Sequence, residues 1–181
     1  MDFALFFGQE KTLLYKKGQG VVFNEPTVTP DINAAAPFLR SAFKKVGAIG
    51  ADILVCIPAS LSSFALNDYK TALFSAGASD ASFISSALAA ACDQGYNPDL
   101  APKAISIVTE GSYADLVVID NGEIVDGGTL TSPEKFALAR AEITKRHPRI
   151  PIYVGDRISI VTGAGKLLSA PKVLKALIDL N

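Results

Sequence analysis

Short apolar runs punctuated by glycine, proline and serine make up most of this chain, and their periods alternate between strand-like and helix-like. Residues 3–7 are an unbroken apolar run and predict a strand. Residues 13–16 and 21–23 are strand-like and are joined through Lys17-Gly18-Gln19-Gly20, a glycine-rich hairpin turn. Across 34–46, Phe38, Leu39, Ala42, Phe43 and Val46 recur at helical spacing, with Pro37 in the first turn and Gly47 as the stop. The run Ile53-Leu54-Val55-Cys56-Ile57, closed by Pro58, predicts a strand buried on both faces. Ser62 or Ser63 is positioned to cap a helix through about Ala76, ended by Gly77. Residues 81–84 predict a short strand, and Ser85 or Ser86 an N-cap for an alanine-rich helix through Ala91.

The scheme then repeats. Residues 104–108 predict a strand, and 115–119 with 123–125 a hairpin around Asp120-Asn121-Gly122. A helix follows over Pro133–Arg146, with Ser132 as cap and Phe136, Leu138, Ala139 and Ile143 facing inward. Residues 157–161 read as a strand that leads through Thr162-Gly163-Ala164-Gly165 into a helix ending near Leu180. The expected fold is α/β: two halves of βββαβα type, 1–102 and 103–181, with mixed sheets flanked by helices and a shortened second half.

Composition narrows the function classes. The chain has 181 residues, 49% hydrophobic and 19% charged, with 17 basic against 18 acidic side chains and a net charge of -1. That balance suits a folded core and gives no electrostatic footprint for nucleic acid. No apolar run approaches the ~20 residues that span a bilayer. The opening MDFALFF has no basic stretch or cleavage site, so it reads as a first strand, with peripheral membrane assembly ranked low and the cytoplasm as the expected compartment. Cys56 and Cys92 sit in apolar runs and read as small buried thiols. The lone histidine, His147, reads as a helix-end residue, and Glu110 with Asp115 as solvated loop carboxylates.

Six segments carry a resemblance to one family. LFFGQEKTLLYKKGQGVVFNEPTV (5–28) is similar to the opening of the bacterial actin MreB family, where a loop D-L-G-T-A-N-T precedes a strand, a glycine turn and N-E-P-S-V. ADILVCIPAS (51–60), SAGASDASFISSALAAACDQGY (75–96), ADLVVIDNGEIV (114–125), SPEKFALARAEITKRH (132–147) and ISIVTGAGKLLSAPKVLKAL (158–177) resemble further family segments in the same order. The resemblance implies a duplicated actin-like (ribonuclease H-like) core. Family members are nearly twice this length. The short connections at 28–31 and at about 146–158 imply that the two inserted upper subdomains are missing.

The same resemblance implies lost chemistry. Phosphoryl transfer in this fold needs an acidic magnesium anchor, backbone N–H groups around the phosphates and a polar group positioning water. In the first loop Phe6 stands at the acidic position, and only Gly8 and Thr12 match. In the second, Val108 replaces the acid, Glu110 and Ser112 replace glycines, and Tyr113 replaces a small hydroxyl. Ser85 and Ser86 stand where the family has paired glutamates. The remnant nucleotide-loop candidates are Gly8, Thr12, Gly111, Thr162, Gly163 and Gly165, with a plain strand-to-helix turn favoured for the last three.

The expectation is a non-catalytic actin-like structural or interaction protein, without a cofactor, in a cell-shape or cytoskeletal setting. It would bind a protein partner, MreB-type filaments or itself. The alternative is a reduced protein that binds ATP or ADP with magnesium and does not hydrolyse it. Phe6 is expected to pack against neighbouring strands.

Overall fold

The computed structural model describes residues 1–180, without the side chains of residues 179 and 180. The first sheet has five strands: β1 (Phe3–Phe7), β2 (Lys11–Lys16), β3 (Gly20–Pro26), β4 (Asp52–Ile57) and β5 (Asp80–Ser85), in the order β3-β2-β1-β4-β5. β1 pairs antiparallel with β2 and parallel with β4. β1 is buried along its whole length, as its unbroken apolar run requires of a central strand.

The outer face of this sheet, with Phe3, Leu5, Leu14, Ile53 and Val55, is covered by α1 (Ala36–Val46) and α2 (Ser63–Ala76). Ser62 caps α2 by accepting the Ala65 N–H, and Gly77 ends it in a left-handed conformation. The inner face, with Ala4, Phe6, Leu13, Leu54, Cys56 and Ile84, meets α3 (Ser86–Asp93) and α5 (Arg157–Leu168).

The second sheet contains β6 (Lys103–Glu110), β7 (Tyr113–Asp120), β8 (Glu123–Leu130) and β9 (Ile152–Gly155), in the order β8-β7-β6-β9. Asn121 and Gly122, at φ 52° and 89°, make the tight β7–β8 turn that their residue types announce. α4 (Pro133–Arg146) covers the outer face over Ile105, Ile107, Leu116 and Val118. α3 and α5 therefore form a shared layer between the two sheets. α6 (Pro171–Leu180) adds Leu174 and Leu177 to that inner core.

Three sequence expectations are corrected. Residues 157–161 are not a strand but the first turns of α5; the strand is β9, which starts five residues upstream. Asp156 accepts the Ile158 and Ser159 N–H groups at 3.0 and 2.9 Å, and Ser159 Oγ accepts the Asp156 N–H, so a capping box starts a helix there. Thr162, Gly163 and Gly165 consequently lie inside α5, and a second helix begins after the break at Ser169-Ala170. Leu138 does not face inward: it is 69% exposed, while Ile143 is the buried anchor of α4.

Candidate functional site: a latched cleft between the two sheets

The β1–β2 turn and the β6–β7 turn face each other across the junction of the sheets. The first is tight, with the Gly8 N–H donating to the Lys11 carbonyl at 3.0 Å. Thr27 Oγ1 donates to the Gly8 carbonyl at 2.8 Å, which uses its one proton, so Thr12 is the donor in the 2.9 Å Thr12–Thr27 hydroxyl contact. The Thr27 N–H donates to the Glu10 carbonyl at 2.9 Å. Thr12 is fully buried in this brace.

Glu110 closes the gap. Its carboxylate accepts the Gln9 N–H at 3.1 Å and the Glu10 N–H at 3.2 Å, and the residue is 2% exposed. Gln9 reciprocates: its Oε1 accepts the Ser112 N–H at 3.3 Å and the Ser112 hydroxyl at 2.9 Å. Glycine is required on both sides. A Cβ on Gly8 would lie 2.7 Å from Glu110 Oε1, and one on Gly111, at φ 55°, 2.8 Å from Gln9 Oε1. The structure thus brings Gly8, Thr12 and Gly111 together, with a carboxylate seated on backbone N–H groups of the first turn.

A second bridge lies alongside. Asp115 on β7 is fully buried and accepts the Ala59 N–H at 3.1 Å and the Thr129 hydroxyl at 2.6 Å. Thr129 Oγ1 in turn accepts the Ser60 N–H, and the Thr129 N–H donates to Ser60 Oγ. Burial pushes the Asp115 carboxyl up to about 6, against the lowering effect of its two donors. Arg157 pairs with Glu10 at 2.7 Å at the rim. Glu110 and Asp115 are therefore not the solvated loop carboxylates expected from sequence. An opening of about 300 Å3 remains beside the bridges, lined by Phe7, Gln9, Tyr69, Tyr113 and Thr129 among others.

Behind these contacts the positions that the resemblance aligns with family acids, Phe6 and Val108, are apolar core. Phe6 is 1% exposed, pairs with Leu13 and Cys56, and shares one cluster with Val108. Ser85 and Ser86 are buried, with hydroxyls that have no partner among the described residues.

Gly163 and Gly165 serve packing. A Cβ on Gly163 would come within 1.8 Å of the Ala89 carbonyl oxygen, and one on Gly165 within 2.4 Å of the Tyr15 ring. Sequence reasoning missed Ser60, Thr129 and the Ala59 N–H; their signal is only a pair of hydroxyl residues, Ser60 in the turn after β4 and Thr129 near the end of β8. His147 ends α4 as expected, with Nε2 3.6 Å from Asp126.

Compared by sequence, the chain matches no protein-family model and no curated protein. Compared by fold, it is similar to MreB5 of Spiroplasma citri bound to AMPPNP, with a TM-score of 0.64 and 22% identity over 84% of this chain and 58% of that one. Ethanolamine utilization protein EutJ from Carboxydothermus hydrogenoformans gives a TM-score of 0.64 at 17% identity, covering 93% of this chain and 80% of that one. A Bacteroides thetaiotaomicron protein with actin-like ATPase fold gives 0.54 at 11% identity, covering 97% and 87%.

At such identities the likeness shows the fold, and that fold is the actin-like ATPase fold expected from the six segments. The chain spans 58% of the length of the MreB5 structure, as a shortened member of this fold class would. Among the described residues no helix is long and apolar enough to cross a membrane.

Proposed function

We propose that the chain is a non-catalytic actin-like protein that works by binding another protein, with its nucleotide cleft latched by its own side chains. One observation carries this reading: the Glu110 carboxylate sits on the Gln9 and Glu10 N–H groups, the kind of donors that a phosphate would need. Hydrogen bonds to a charged group are worth about 1.5–3 kcal/mol each. A nucleotide that had to displace both would bind roughly 10²–10⁴-fold more weakly. It would also meet the displaced negative charge. The apolar packing of Phe6 and Val108 leaves no carboxylate at either former metal position.

A cytoplasmic, cytoskeletal or cell-shape role, with self-association or actin-like filaments as the partner, fits a chain of this fold. The test is calorimetric titration of the purified protein with ATP or ADP and magnesium. No saturable heat is expected up to millimolar nucleotide; micromolar affinity, which would add ~2.7 kcal/mol of stability at a hundred times Kd, overturns the proposal.

A further inference from the structure

The edge of β5 lies in a groove. β5 ends its sheet, so its side away from β4 has no strand partner. A groove of about 570 Å3 is lined by every residue from 81 to 85, that is, by side chains from both faces of the strand. A lining of that kind places the groove along the strand edge. One wall is α2, through Leu66 and Lys70; the other is formed by Ile124 of β8 and Ile178 of α6, with Glu123 beside them.

The other edge near this junction is treated differently. On β9, the Gln94 side-chain amide accepts the Val154 N–H at 3.2 Å and donates to the Val154 carbonyl, as a neighbouring strand would. β5 has no such cap among the described residues. The Ser85 hydroxyl at the end of the groove is buried and without a partner there. Lys70 and Glu123, both exposed, form no ion pair with another described residue.

We propose that the β5 edge is a docking site for an extended peptide segment of a partner protein, about five residues long, added as a sixth strand. The walls set its pattern. Side chains turned toward α2 are acidic, to meet Lys70; those turned the other way are apolar, to meet Ile124 and Ile178, with a basic residue at the end near Glu123. Alternation with a period of two delivers these two faces from one strand. This names a surface for the interaction role proposed above. Its test is separate, since nucleotide titration can come out either way without touching it.

The probe is the fluorescein-labelled peptide TVEVEKT, acetylated and amidated, titrated against the full chain by anisotropy. The charge-inverted peptide TVKVKET is the comparison. Saturable binding of the first peptide is expected, with hydrogen-exchange protection of amides 80–85. Lys70→Glu should weaken it about two- to five-fold, the range of an exposed ion pair, and reverse the preference toward the second peptide. Circular dichroism checks that the variant, altered only at an exposed position, is folded. Absence of saturable binding, indifference of both peptides to Lys70→Glu, or protection confined to other strands overturns the proposal. So does concentration-dependent protection of 80–85 in the protein alone that the peptide does not displace, which would assign the edge to a second copy.

Discussion

The Asp115 carboxylate on β7 accepts the Ala59 N–H, just beyond β4, at 3.1 Å, so a buried acid of one sheet is held by the backbone of the other. Its carboxyl is raised from 3.8 to about 6 by burial. A raised acid acts oppositely to the usual carboxylate. The folded state holds the proton more tightly, so its contribution is greatest below pH 3.8 and declines as pH rises through about 6. At ~1.4 kcal/mol per unit, the decline amounts to at most ~3 kcal/mol. Asp115→Asn cannot titrate. Urea unfolding of wild type and Asp115→Asn between pH 4 and pH 8 should give a stability difference, wild type minus variant, that falls across pH 4–6. A flat or rising difference would refute the burial argument.

Glu110→Ala removes the buried acceptor for two backbone donors, the N–H groups of the exposed residues Gln9 and Glu10. A hydrogen bond to a charged acceptor is worth about 1.5–3 kcal/mol, and the loss is smaller where the freed donor reaches water. Glu110→Gln keeps an acceptor oxygen and should lose less. The order wild type, Gln, Ala in urea midpoint is expected, together with faster amide exchange at Gln9 and Glu10 in the Ala variant. Unchanged exchange there would mean that the carboxylate does not hold the turn.

How far these features were legible depends on their range along the chain. β1 and β4 read correctly because a strand buried on both faces shows as an unbroken apolar run. The ends of α2 read correctly because Ser62 and Gly77 are local signals. Ile158-Ser159-Ile160-Val161 misled because β-branched residues suggest a strand, while the deciding signal was the capping box between Asp156 and the Ser159 within that segment. The glutamate latch joins residues 101 and 100 positions apart, and the Asp115–Ala59 contact spans 56. Local pattern carries no information on such pairs, so both acids read as loop carboxylates. Phe6 was legible because it lies in the unbroken apolar run of β1, which announces burial on both faces.

Phe6 is expected to resist replacement by an acid. Its ring is 1% exposed within the inner core, beside Leu13, Leu54 and Val108. Phe6→Ala should cost about 3–5 kcal/mol through lost burial and the remaining cavity. Phe6→Asp should cost at least as much, since an unpaired carboxylate enters the same space. Neither variant should gain magnesium-dependent ATP binding. A stable Phe6→Asp protein that bound ATP with magnesium would show that the cleft is merely missing its acid.

Gly163→Ala separates packing from propensity. Alanine in a helix interior normally gains ~1 kcal/mol over glycine. Here a Cβ would come within 1.8 Å of the Ala89 carbonyl oxygen, a backbone atom of α3 that cannot rotate away. Moving the two helices apart disturbs the layer that both sheets share, and overpacking of this kind costs about 1–3 kcal/mol or more. Thermal unfolding should therefore show a lower Tm for Gly163→Ala. A higher Tm would mean that the α3–α5 crossing is looser than the structure gives.

Gln94 tests whether the β9 edge is held closed. Its amide fills the N–H and C=O of Val154, while Ile152 and Val154 expose apolar side chains on the same short strand, at 44% and 59%. Unpaired edges beside exposed apolar residues recruit strands from other chains. Gln94→Ala deletes the cap without altering the strand, so sedimentation velocity should reveal more concentration-dependent association than wild type shows at the same concentrations. Gln94→Glu offers an acceptor for the Val154 N–H but no donor for its carbonyl, and should fall between the two. If Gln94→Ala sediments as wild type does, the exposed pair alone is too small to recruit a partner strand, and the amide serves only to tie α3 to β9.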